Sequence, residues 1–208
     1  MQYSTKSLLA LSLVLPMAAA CGDDCHDHDH HMVDAGVTAD ADTEPQPQAV
    51  TLNFAAMVGA EEFKCATGNE AQTFANVGSA ASTVYFKDFR FYVSNIRLVD
   101  AEGGEEPLTL DTSAWQLQTD TDGHVALLDF EDGTGNCSDT GNADLNSSVT
   151  GMVPAGTYTG VVFDLGVPFG LNHLDVATAE SPLNISALYW AWAIGHKFMR
   201  LDYVVDGG

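Results

Sequence analysis

The sequence predicts an all-β fold: an antiparallel β-sandwich or barrel-like domain that follows a disordered N-terminal tail. Three observations carry this. Runs rich in β-branched and aromatic residues recur between turns that contain Gly and Pro. No long stretch holds a helical period of 3.6 residues. Glycine is frequent, at 19 of 208 residues, as a chain with many tight turns requires.

The elements follow in order. Lys6 precedes an apolar stretch from Ser7 to Ala20 that is too short to span a bilayer and reads as a secretory signal, residues 1–20. Ala18-Ala19-Ala20 runs into Cys21, which fits a lipoprotein cleavage site with Cys21 as the acylated N-terminus. The protein is thus expected in the periplasm or at the outer membrane, attached through lipid on Cys21. Residues 21–49 are rich in Asp, His, Ala, Thr and Pro-Gln and lack apolar periodicity, so they are expected to form a disordered tether. The β-rich domain spans 50–208 and opens with the alternation Val50, Leu52, Phe54. Within it, strands are expected over Thr83–Val99, Val125–Phe130, Tyr158–Leu165 and Leu188–Val205. A turn at Asp100–Gly104 ends the first of these.

Charge removes one class of function. With 7 Lys+Arg against 29 Asp+Glu, the formal net charge is −22, and no basic stripe exists to neutralise phosphates. Nucleic acid is excluded as a partner. An enzyme finds little support either: there is no nucleophile elbow, phosphate loop or HExxH segment.

Metal-binding chemistry has more to stand on. The tether opens with Cys25-His26-Asp27-His28-Asp29-His30-His31. Imidazoles at this density, between carboxylates, chelate Cu(II), Zn(II) or Ni(II) in a flexible chain. The plainer reading is a solvated tether with incidental affinity. In the domain, Cys65 and Cys137 lie in loop-like contexts of an exported protein and are expected to be oxidised to disulfides, although their being mutual partners is not decided by sequence. A thiolate metal site is disfavoured because no CxxC spacing is present.

Trp190 and Trp192 are two apart and share a face in a regular strand. On the residues alone, both pack in the core. Trp115 reads as a core or rim residue and His124 as a turn residue. His173 stands in a loop just after a strand ends at Gly166-Val167-Pro168, a position from which an imidazole can meet a neighbouring strand. Asp175 is placed to orient such an imidazole. His196 shares a face with the two tryptophans only if Gly195 makes no bulge, and the opposite parity of Met199, Leu201 and Tyr203 argues for a bulge.

Four segments, taken in order, resemble the MbnP-like family, the four-Cys proteins of the metallo-mystery pair. They are Asp88–Leu98, Leu127–Glu131, Gly166–Asp175, and Pro182-Leu183-Asn184 continued by Tyr189–Asp202. The resemblance covers most of residues 50–205. It implies an exported copper-binding protein acting in copper acquisition or handling, whose partner is a dihaem cytochrome c peroxidase-like protein that oxidises a tryptophan to kynurenine. It implies His173 as a metal residue of the domain, with one further His, either His196 or one from the C-terminal part found in the family, and with Trp190 or Trp192 as the residue oxidised. Indole is a donor only, so ring opening is what would make a ligand of it. His196 departs from the family, which often carries an aromatic residue there. Members of the family continue further, with two more cysteines and a His-containing motif. The chain is thus expected to be truncated or a shortened member, with only Cys65 and Cys137 matching family cysteines. The competing reading is a surface-anchored β-sandwich binding or adhesion module with an incidental His tail.

Overall fold

The computed structural model describes residues 46–68, 70–139 and 142–206. Residues 1–20, read above as a signal, Cys21 and the tail imidazoles His26, His28, His30 and His31 lie outside the described residues.

The architecture is all-β and antiparallel, as expected. Its spine is one 19-residue strand, Ser82–Asp100, in which β-branched and aromatic residues dominate. A strand this long has room for several partners on each edge. On one edge lie Phe74–Val77, His124–Asp129 and Glu105–Pro107; Gln116–Gln118 adds outside His124–Asp129. On the other edge Tyr158–Leu165 pairs with residues 93–100 and Met199–Val205 with residues 84–91. A second sheet of Gln48–Asn53, Ser148–Val153 and Thr109–Leu110 packs against this one. Between them Leu52, Val149, Val153 and Leu110 meet Phe86, Phe89, Ile96 and Leu128 in a single apolar cluster. Edge-to-face contacts between Phe63, Phe74, Phe86 and Phe89 fill one end of it.

Cys65 and Cys137 form a disulfide with their Cα atoms 5.5 Å apart, and both residues are buried. The bond ties the loops that flank the core, so the two cysteines are mutual partners and not metal ligands.

Several expected boundaries hold. Tyr158–Leu165 is a strand over the expected residues. Ser82–Asp100 and His124–Asp129 each differ from the expected bounds by one residue at both ends. Leu188–Val205 is a correction: it is not one strand but a small hairpin, Tyr189–Ala191 with Gly195–His196, followed by the strand Met199–Val205. The break has a local cause. Gly195 has φ +89°, and the pairing register shifts between Tyr189 and Ala191. A bulge is present, but on the strand facing Gly195 rather than at Gly195 itself: Tyr189 pairs with His196 and Ala191 with Gly195, which leaves Trp190 as the extra residue.

Candidate functional site

Two motif segments converge because two strands meet at one residue of the spine. Tyr92 accepts a bond at its carbonyl from Gly166 N–H at 2.8 Å and donates its own N–H to Phe198 O at 2.9 Å. There Tyr158–Leu165 ends and Met199–Val205 begins, so the segment leaving the first and the hairpin entering the second lie side by side. Gly166 has φ +133°, and a Cβ on it would stand 2.6 Å from the Phe198 ring. Only glycine allows this approach.

Beyond Gly166 the chain makes one helical turn, Phe169–Asn172. Asn172 then clamps the hairpin. Its Oδ1 accepts the His196 N–H at 2.9 Å, and its carbonyl oxygen lies 2.9 Å from His196 Nδ1. Asn172 lies in a motif segment, but its partners are 24 residues away and nothing local in the sequence announces its role.

His173 follows directly. Its Nδ1 is 2.7 Å from the carbonyl of Trp192. A carbonyl can only accept, so Nδ1 carries the proton and Nε2 is left with its lone pair. That is the tautomer of an imidazole ready to bind a cation, with its ring oriented by a backbone oxygen. His173 lines an open groove of 470 Å³ with Phe169, Gly170, Trp192 and Ala193. The Phe169 ring meets the His173 ring edge-on at 5.8 Å.

The tryptophans are not core residues. Trp190 is 63% exposed and Trp192 72%. They do not share the face of a regular strand, because Trp192 sits in the hairpin turn. Their surroundings differ. The Lys197 ammonium stands over the Trp190 ring at 4.5 Å from its centre, whereas Trp192 lines the groove beside His173.

His196 is not brought to that groove. It is 4% exposed, with Nε2 facing Leu183 O at 2.9 Å and Nδ1 facing Asn172 O. Tyr189 and Tyr92 pack edge-on against its ring. With both nitrogens turned to carbonyls, His196 staples the hairpin to two loops and points no lone pair at His173. Asp175, expected to orient an imidazole, instead accepts the N–H of Ala177 in its own turn. His124 is also corrected: it is the first residue of a strand, and its Nε2 accepts the Ile96 N–H at 2.8 Å. Asn95, at φ +50°, precedes that amide. Burial lowers the His124 pKa, which suits an imidazole that must stay neutral to accept. Trp115 is a partly buried rim residue, packed against the smaller apolar cluster around Tyr92.

Comparison with known proteins gives a consistent picture. Residues 47–207 match the MbnP family. The chain belongs to the MbnP family. Among solved structures it is similar to "MbnP from Methylosinus trichosporium", with 28% identity and a TM-score of 0.62. The match covers 78% of this chain and 56% of that one, so this chain spans little more than half the length of that relative. No curated protein matches the chain.

In this MbnP-family domain three of the four motif segments also build something away from the groove. Asp88 and Arg90 on the spine, Asp129 and Glu131 at the end of a neighbouring strand, and Arg200 and Asp202 on the last strand form a charge ladder across the sheet. Arg90 directs Nε to Asp88 Oδ1 at 2.9 Å, Nη2 to Asp88 Oδ2, and Nη1 to Glu131 at 3.3 Å. Arg200 bridges Asp88 at 3.1 Å and Asp202 at 2.6 Å. Among the described residues, no three His, Cys, Asp or Glu side chains are grouped to hold a metal ion.

Proposed function

We propose that this protein is an exported, lipid-anchored copper-binding protein that carries or stores the metal and is not itself an enzyme. The observation that supports the reading most is the oriented imidazole of His173 beside Trp192, in a groove of an MbnP-family domain. His173 Nε2 offers one donor of a kind that suits copper in either common oxidation state. One imidazole does not hold copper tightly, so further donors are needed. We assign them to the modified Trp192, whose ring opening supplies new ligand atoms, while the tail imidazoles His26, His28, His30 and His31 scavenge the metal and load this site. His196 keeps a structural role in this reading.

The partner is a dihaem cytochrome of the peroxidase type, and the oxidant it uses is peroxide. Two equivalents of hydrogen peroxide cleave the indole pyrrole ring to N-formylkynurenine, releasing two waters. Hydrolysis then releases formate and leaves kynurenine, whose aryl amine and ketone are new ligand atoms. Trp192 is favoured over Trp190 for a physical reason. A cation held against an aromatic face withdraws electron density and makes oxidation harder, and Lys197 stands over Trp190 alone.

The test is a copper titration of the full chain produced with its oxidising partner, with His26, His28, His30 and His31 replaced by Ala. Copper that stays bound in this variant and is lost on adding His173→Ala supports the reading. No copper retained without the tail imidazoles would leave a β-sandwich binding or adhesion module with a metal-binding tail.

A further inference from the structure

The charge ladder does not balance if every member is ionised. Asp88, Asp129 and Glu131 are all fully buried, and Arg90 is the one guanidinium buried among them. Arg200 adds a second from the edge of the site, 16% exposed, but shares its charge with Asp202 at the surface. Three buried carboxylates thus face two guanidiniums. One carboxyl must be neutral for the interior charges to cancel, because an uncompensated buried charge is far more costly than a neutral acid.

Geometry identifies which. Asp88 takes two bonds from Arg90 and one from Arg200. Glu131 takes Arg90 at Oε1 and backbone N–H groups of Asn142 and Gly133. Asp129 receives one donor, the Glu131 N–H at Oδ1. Its Oδ2 is buried and has no hydrogen-bond partner. Charge on that oxygen would go unanswered.

We propose that Asp129 is a buried proton-binding site: it stays a neutral carboxylic acid while the ladder is closed, and its ionisation on raising the pH loosens the sheet around it. The groups that face it are Arg90, Asp88 and Tyr92 on the spine and Glu131 on its own segment, with Arg200 reaching the same cluster from the last strand through Asp88. Burial pushes the Asp129 pKa up from 3.8 to about 7. The Glu131 N–H and Arg90 pull it down; the charges of Glu131 and Asp88 push it further up. Glu131 is raised too, again chiefly by burial.

The sign follows from linkage. Between the unfolded value of 3.8 and the folded value of about 7, the folded state holds a proton that the unfolded state has released. Stability contributed by Asp129 is therefore full below that window, falls as pH rises through it, and is flat above. Three pH units of such linkage change the folding equilibrium by about a thousandfold. The strand that loosens is hydrogen-bonded to the spine, whose other edge carries Met199–Val205 and, before it, the hairpin.

The experiment is a carboxyl 13C NMR titration of the wild-type chain, with Asp129→Asn used for assignment and compared in thermal unfolding between about pH 5 and about pH 8. We expect the Asp129 carbon to titrate near neutrality. The wild-type midpoint should fall across the range while that of Asp129→Asn stays nearly level, since an amide keeps the Oδ1 acceptor and carries no charge. An Asp129 carbon that titrates in the ordinary carboxylate range overturns the proposal, as do two unfolding profiles that run parallel. If Asp129→Asn fails to fold, the wild-type titration, assigned by sequential backbone-to-carboxyl correlation, decides alone.

Discussion

The clamp between Asn172 and Gly195 can be tested as a coupled pair. A Cβ at residue 195 would lie 2.4 Å from Asn172 Nδ2 and 2.6 Å from its Cγ and Oδ1, and the backbone there has φ +89°. Gly195→Ala therefore carries two costs: positive-φ strain of about 1–2 kcal/mol and overpacking of about 1–3 kcal/mol. Asn172→Ala removes the acceptor of the buried His196 N–H, made at 2.9 Å, which costs about 1–3 kcal/mol. The same change clears the space that a Cβ at 195 needs. In the Asn172→Ala background, Gly195→Ala should then cost only its backbone strain. The double variant is expected to be less destabilised than the sum of the single ones by about 1–3 kcal/mol, the overpacking component. The assay is urea unfolding followed by tryptophan fluorescence, with the slope held common to all four proteins. Additivity within about 0.5 kcal/mol would refute the claim that Asn172 and Gly195 are fitted to each other.

Other outcomes follow from the same geometry. Arg90→Met leaves Asp88 and Glu131 buried without their shared guanidinium and should cost about 3–5 kcal/mol in denaturant unfolding. Replacing both Cys65 and Cys137, 72 residues apart, with Ala should lower stability by about 4 kcal/mol through the loop freed in the unfolded chain. His124 has its pKa lowered by burial; its contribution is thus full above the ordinary histidine value and lost as pH falls through the folded one. The Ile96 amide resonance should report that loss on acidification, and in His124→Ala it should become insensitive to pH over that range.

Much of the fold could be read from the chain because its strands carry their own signal. Thr83–Val99 is so dense in β-branched and aromatic residues that no other element fits it, and Tyr158–Leu165 is bounded by turn residues on both sides. The hairpin at Tyr189–His196 was harder: its residues are as strand-like as those of a core strand, and only Gly195 and the parity of Met199, Leu201 and Tyr203 pointed to a break. The same difficulty hid the exposure of Trp190 and Trp192, since a periodicity argument presumes the regular strand that the turn interrupts. Of the candidate site, His173 was singled out by its place in a segment that carries the family resemblance; its position after Gly166-Val167-Pro168 alone was a weak signal. The roles of Asn172 and His196 were not, because each depends on partners that only the Tyr92 junction brings near. The charge ladder lay within the segments that carry the family resemblance, but alternating Asp and Arg on a strand reads as a solvated face until its burial is known.

The measurement that bears most directly on the functional account is peptide mass spectrometry of protein isolated from its native host with the proposed oxidising partner present. The account predicts that the peptide spanning Trp190 and Trp192 gains one oxygen and loses one carbon, with fragmentation placing the change on Trp192. Unmodified residues at both positions, in protein whose groove nonetheless binds copper through His173, would contradict it.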